Sequence, residues 1–512
     1  MTAKTTCLPL APAALALAGL LAAGPAAAQA PTQPARPATA PAAALGTPAA
    51  PAAGPWTLQR SIDYALEHNL NVRLSQLQSL NNAQILRQSK AALLPTANIS
   101  ATQAWQYGTS VNPLTFEFQN QTVRSSNFSG ASQVVLFQGF VLRNTIRRNR
   151  LDYQASAADI EKARNDLSLN VASQFLQLVL AQELVRANQT RVASDEAQIE
   201  RSQILLKAGS IPESTLLDSQ SQLASDQLGV VTAQNQAVLA RLSLIQLLNL
   251  DPAVNQDFAI EVPPLPDPDE EAPYLIDLNQ TYQTAAARLP EIQAADLRVR
   301  SALTTVDVAR GAYLPRLSLA GSIFSGYSSA RSVTAVGTDS TARRTTFFVQ
   351  NGGVLTPLSV LTYQRNVSTL PQNYWSQLDQ NLGRQIQFAL NIPLLNGLQV
   401  RTNVQRSLIG VQQAEVQAEQ ARLTLRQSIE QAAADARAAQ LQYIYAKRQV
   451  AALTLTQRNS EIRFNNGLLN GTEFNIAKNN LNFAISNQIQ AKYTFIFRRK
   501  VLDFYQGRPL AL

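Results

Sequence analysis

The chain has one cysteine, one histidine and one methionine in 512 residues, and only eight lysines against 35 arginines. The single thiol, Cys7, lies in the leading segment, which removes disulfide frameworks, thiol chemistry and cysteine-held metals from the rest. His68 stands alone in LEHNLN and reads as a surface or capping residue, with no second histidine to complete a metal pair. No paired acid and base, phosphate-binding loop or metal-ligand spacing occurs, so neither enzymatic chemistry nor a cofactor is expected. The net charge of +9 is spread along the chain without a basic run, which leaves no face for nucleic acid. Past the leading segment no eighteen consecutive residues are apolar, so no transmembrane helix is expected.

What is present begins with an export signal. Lys4, an Ala/Leu-rich run from Leu8 to Ala23, and Ala26-Ala27-Ala28 before Gln29 have the layout of a signal peptide spanning 1–28. Pro9, Pro12 and the short apolar core argue against a membrane anchor, and Cys7 lacks the preceding apolar core of a lipid-attachment site. Residues 29–55 are Pro/Ala-rich and too poor in large apolar groups to pack, so they read as a leader to a folded part starting at Trp56.

The folded part is written twice. ALLP at 92–95 returns as AYLP at 312–315, an offset of 220 that also carries Val72 onto Ile292. LFQG at 136–139 returns as LLNG at 394–397, and Gly209 as Gly467, both at an offset of 258. The second half therefore holds 38 extra residues between Pro315 and Gly397. Each half predicts a helix, an extended region, a very long helix, a glycine break and another helix. Val171, Leu178, Val185, Val192, Ile199 and Leu206 recur every seven residues, as do Val411, Ala418, Leu425, Ala432, Ala439, Ala446 and Leu453, which is coiled-coil spacing. A helix over about 142–207 is roughly 100 Å long, more than a compact globule needs. The other faces are crowded with Gln, Asn, Ser and Ala, so the helices fit either a hollow wall with water on both sides or a rod-like coiled coil.

The extended segments favour the wall. Residues 96–107 alternate Ala97, Ile99, Ala101, Trp105 and Tyr107 with Thr96, Asn98, Ser100, Thr102 and Gln106, and 316–327 repeat that pattern. The returning strands are 127–137 and 384–395, the latter setting Ile386, Phe388, Leu390, Ile392 and Leu394 against Gln385, Gln387 and Asn391. Each is long enough to cross a bilayer when tilted. Four strands cannot stand alone in lipid, since an open sheet leaves backbone groups that hydrocarbon cannot satisfy. Two copies would close eight strands and three would close twelve, and the wide helical wall favours three. The water-soluble alternative is a four-stranded sandwich capping a helical bundle.

The duplicated plan, the LLP and YLP strand starts at Pro95 and Pro315, the FQG and LNG exits at Gly139 and Gly397, the LPEI segment at 289–292 and the glycines at 209 and 467 together resemble the TolC-like outer-membrane efflux protein family. The resemblance covers Trp56 to Tyr505, and the ending FRRKVLDFYQGRPL at 497–510 is similar to tails of family members from the Bacteroidetes. It implies a mainly α fold with a small β part: a duplicated α-helical barrel of coiled-coil helices plus four transmembrane strands per chain, closing as a homotrimer with a twelve-stranded outer-membrane barrel. The divisions expected are a first repeat over 56–250, an equatorial linker over 251–277, a second repeat over 278–505 and a tail over 506–512. The linker and tail would join an equatorial belt.

The same resemblance makes the glycine breaks the hairpin tips at the tunnel's periplasmic mouth, in the outer membrane of a Gram-negative bacterium. Gly209, Ser210 and Ile211, with Gly467, Leu468 and Leu469, would touch the periplasmic adaptor of an inner-membrane pump. Gly209 and Gly467 suit a left-handed helix end, Thr472 a cap, and Pro212 a first helical turn. Asp218 and Glu473 lie where acidic rings form in the family, although Thr215 and Ile476 occupy the matching second places and leave a double ring incomplete. Arg463 is a candidate latch toward a carboxylate of a neighbouring helix. The function implied is the exit channel of a tripartite efflux system carrying small molecules. A duct for type I protein secretion would use the same channel, and a periplasmic coiled-coil scaffold is the reading outside transport. The Ser/Thr/Asn/Gln-rich stretch 328–383 is expected at the outer surface.

Overall fold

A computed structural model of the protein describes residues 55–111, 118–250, 258–261, 277–351 and 353–508. The expected signal peptide with Cys7, almost all of the leader, most of the linker and the end of the tail lie outside the described residues.

The duplication is carried into the backbone. In the first half α1 spans Leu58–His68, α2 Leu70–Ala91, β1 Thr96–Val111, β2 Phe118–Gln138, α3 Val141–Lys207 and α4 Glu213–Leu248. In the second, α5 spans Leu278–Arg288, α6 Pro290–Gly311, β3 Arg316–Ser328, β4 Ser332–Asn351, β5 Val354–Pro371, α7 Tyr374–Gln380, β6 Gly383–Asn391, α8 Gln399–Asn465 and α9 Gly471–Tyr505. Both long helices, α3 and α8, have 67 residues, and α2 and α6 both have 22. The first strand pair is longer than the sequence pattern predicts, since β1 and β2 stay paired out to Val111 and Phe118. The last strand is shorter and ends at Asn391, before Pro393 removes a ladder donor. The extra residues of the second half form β4 and β5, which among the described residues pair only with each other, followed by α7.

β1, β2, β3 and β6 form one antiparallel sheet in the order β1-β2-β3-β6. α2, α3, α6 and α8 lie side by side in that order, each packing on the next, while α3 pairs with α4 and α8 with α9 as long hairpins. Each strand-to-helix passage uses two left-handed residues in succession: Gly139 and Phe140 at φ 54° and 61°, Gly397 and Leu398 at 57° and 62°. Gly139 also meets Gly311 of α6 so closely that a Cβ would sit 2.2 Å from the Gly311 carbonyl oxygen, so only glycine permits this approach.

The core sits midway along the helices, as two copies of one arrangement. Val72, Leu167, Val171 and Leu244 are buried in the first, and Ile292, Leu425, Ile429 and Leu502 occupy the equivalent positions in the second. The first is the bulkier, adding Phe175 and the cluster of Trp56, Tyr64 and Phe258. Trp56 pairs in parallel with Ile260, and Arg288 donates to the Gly507 carbonyl at 2.7 Å, so described parts of the connector and tail contact the helices beside this core. Asn69 caps α2, while half-buried His68 in the last turn of α1 sets its ring nitrogen 3.0 Å from the Tyr64 carbonyl oxygen and stacks on the Tyr64 ring at 4.0 Å. No described helix is long and apolar enough to cross a membrane.

Candidate functional site

The tips of the two hairpins are built alike. Ser210 N–H donates to Leu205 O and Gly209 N–H to Leu206 O; Leu468 N–H donates to Arg463 O and Gly467 N–H to Phe464 O. These paired bonds wrap the last carbonyls of α3 and α8, and they need a left-handed residue, supplied by Gly209 at φ 71° and Gly467 at 69°. Phe464 and Phe474 stack at 5.0 Å with both rings buried, pinning the second tip from inside.

The caps differ from the sequence reading. Asn470, not Thr472, caps α9 by accepting from Glu473 N–H at 2.7 Å, since Gly471 is already helical. Pro212 precedes the first turn of α4 rather than lying in it. Thr472 instead reaches across to the first hairpin, where its hydroxyl meets Asp218 Oδ2 at 3.5 Å. Gly471 sits against Thr215, whose methyl group would have to move to admit a Cβ. The two tips are thus in contact within one protomer, and Asp218 and Glu473, both exposed, lie close to that contact. Gly209, Ser210, Gly467 and Leu468 are exposed and Ile211 and Leu469 half-buried. Arg463 is exposed and forms no ion pair with another described residue.

About four turns above the first tip lies a cluster that sequence reading missed. Lys478 of α9 donates to Asp195 Oδ1 of α3 at 2.5 Å, with both side chains buried. Arg191, one turn earlier on α3, faces Asp226 of α4 at 3.7 Å and donates to Asn482 O and Ser486 Oγ of α9, each at 3.1 Å. Gln222 donates to Asp226 at 3.0 Å and accepts from Asn479 at the same distance. Among the described residues Asp195 Oδ2 has no hydrogen-bond partner. Burial, and then the neighbouring Asp226 carboxyl, push Asp195 up from 3.8 to about 6 against the pull of Lys478. The heptad that places Asp195 contains Ala181, Asn188, Asp195 and Ser202, whereas the expected seam residues Val185, Val192, Ile199 and Leu206 are only half-buried. A period-seven search restricted to apolar residues passes over a polar seam.

At the far end of the helices the sheet has two unlike faces, matched across all four strands. Ala97, Ile99, Ala101, Phe128, Leu319, Ile323, Ile386, Phe388 and Leu390 share one face by register, with Ile99 85% and Ile386 78% exposed. Asn98, Ser100, Ser129, Ser318, Ser322, Gln385 and Gln387 share the other, where Ser100 and Ser129 bond at 2.7 Å. Exposed Trp105 and Tyr107 mark one end of the apolar face. At the other end Val135 and Phe137 flank a bulge that returns Phe137 to it, opposite Leu317. An apolar exterior with aromatic margins and a polar interior is the pattern of a lipid-embedded barrel wall.

Similarity to known proteins agrees with this geometry. The chain matches the solved CusC structure with a TM-score of 0.70, at 16% identity over 88% of this chain and 92% of that one. The CmeC outer membrane channel of Campylobacter jejuni gives 0.69, at 19% identity over 88% and 85%. The outer membrane protein VceC of Vibrio cholerae gives 0.69, at 14% identity over 89% and 97%. No curated protein sequence matches significantly. The family model for outer membrane efflux protein matches residues 61–250 and 281–503, and with the two-faced sheet and duplicated hairpins already in place, the chain belongs to the outer membrane efflux protein family, a non-enzymatic transport channel of the Gram-negative outer membrane.

Proposed function

We propose that three copies of this chain join edge to edge, closing twelve strands into a barrel and twelve rows of helix into a periplasmic tunnel. The observation that carries the proposal is the open sheet: among the described residues β1 and β6 pair on one side only, while one face carries most of the large, exposed apolar side chains. An unpaired edge in hydrocarbon costs several kcal/mol per backbone group, which other copies relieve. The tunnel receives small molecules at the hairpin tips and releases them outside, supplied by an inner-membrane pump through a periplasmic adaptor. Gly209, Ser210, Ile211, Gly467, Leu468 and Leu469 form the adaptor-facing rim. Asp218 and Glu473, repeated threefold, form the acidic ring of the mouth, and Arg463 latches to a neighbouring protomer.

Two measurements test this. Detergent-purified protein should have the mass of three chains after chemical crosslinking, and a stable, water-soluble monomer needing no detergent would overturn the barrel. Cysteines placed at Ser210 and Leu468 should capture an adaptor in cells, identified by mass spectrometry. Failure to recover one removes the efflux partnership and leaves the channel standing.

A further inference from the structure

Below the bulge that carries Phe137, the first turns of α3 read VLRNTIRRNR, with no acidic residue between Gly139 and Leu151. Phe140 packs edge-on against Phe137 with ring centroids 5.5 Å apart, and is 56% exposed. Because Phe137 belongs to the apolar face of the sheet, Phe140 continues that face onto the helix. Arg143, Arg147 and Arg150 follow Phe140 at spacings of three, four and three, which keeps all four on one side of α3. With Asn144 they line an open recess of about 740 Å³. The three arginines are exposed and have no ion-pair partner among the described residues.

This side of α3 is turned away from its neighbours within the protomer. α2 and α6 both pack on the side of α3 opposite these arginines, through Ser79 to Ser156 and through Ser301 to Asp152 at 2.5 Å, one helical turn apart. α3 lies between α2 and α6 in the row of helices, so it is not an edge helix of the protomer, and its arginine side is turned from both. The second half repeats the device in a lighter form: Leu395 and Leu398 are 97% and 63% exposed, and Arg401 stands where Arg143 does, at the offset of 258.

We infer that Arg143, Arg147 and Arg150 form a binding site for the phosphate headgroup of anionic phospholipid in the periplasmic leaflet of the outer membrane. The acyl chains lie along the apolar face of β1, β2, β3 and β6, Phe137 and Phe140 mark the depth of the interface, and the guanidinium groups reach the phosphate one to three turns lower. Guanidinium forks match phosphate oxygens in pairs and stay charged at every physiological pH. The inference rests on the barrel reading only for which face meets lipid.

The test is lipid binding to the full-length protein, delipidated in detergent and followed by native mass spectrometry. Dioleoyl phosphatidylglycerol should be retained in preference to dioleoyl phosphatidylcholine, whose chains are identical. The R143Q/R147Q/R150Q variant should lose that preference, by about fivefold for each arginine removed. Equal retention of the two lipids, or undiminished preference in the variant, overturns the site, as does equal occupancy by inorganic phosphate alone. The milder R147Q/R150Q variant gives the same reading if the triple change prevents folding. Ion selectivity in planar bilayers should be unchanged by these substitutions; an altered selectivity would place the arginines in the lumen and overturn the lipid assignment. Failure to form any channel or detergent-dependent oligomer would instead remove the barrel, and the lipid site with it.

Discussion

Lys478 and Asp195, 283 residues apart in the chain, meet at 2.5 Å inside the protein, joining the second hairpin to the first. Breaking a buried pair by removing one charge strands the other, which costs on the order of 3 kcal/mol. K478M should therefore lower the unfolding midpoint and loosen α9 from α3. Hydrogen exchange of α9 between Phe474 and Ser486 checks this, and unchanged protection would show that the pair does not hold the hairpins together.

The same contact should depend on pH. Burial and Asp226 raise Asp195 from 3.8 to about 6, so the docked helices bind a proton that separated helices release. This contribution is fully present below the ordinary value and is lost as pH rises through about 6. Hairpin docking should thus be tighter at acidic pH than at neutral pH. D195N should remove that dependence, and D226N should shift its midpoint downward by relieving the second carboxyl. Exchange rates measured across the acidic to neutral range decide the matter.

At the tips, G209A and G467A should each cost about 1 kcal/mol or more locally, because a Cβ disfavours the left-handed backbone. A Cβ at either glycine would meet no atom within 4 Å, so the penalty is conformational rather than steric. Proteolysis at the tips should accelerate while the global unfolding midpoint stays put.

N470A should fray the first turn of α9 by about 1 kcal/mol, and T472A should leave that turn intact. Amide exchange at Glu473 distinguishes them, since its N–H is the one that Asn470 holds. The reverse ranking would restore Thr472 as the cap.

If Asp218 and Glu473 form the proposed ring, D218N/E473Q should reduce cation selectivity in planar bilayers without changing the protein's oligomeric mass. Selectivity equal to that of the unmodified protein would return both carboxylates to the solvated exterior.

Much of this architecture was legible because it is periodic and repeated. Offsets of 220 and 258 fix matched helices to the residue, and α8 buries the heptad of Val411, Ala418, Leu425, Ala432 and Ala439 that its spacing announces. Alternation likewise separates the lipid face from the polar face, since side chains of a strand must take opposite sides. The family resemblance singled out the tip residues, and their left-handed glycines are in place.

Contacts between distant segments were not legible. In sequence Asp195 and Ser202 look like any solvated helix face; they become interior only because α9 returns along α3 and α4 and brings Lys478 with it. The Thr472 to Asp218 contact and the continuation of the lipid face through Phe140 to Arg143 arise the same way. Periodicity states which side of an element is apolar and is a local property of the chain. Which polar groups lose water depends on what packs across from them, and that is decided only when the helices are assembled.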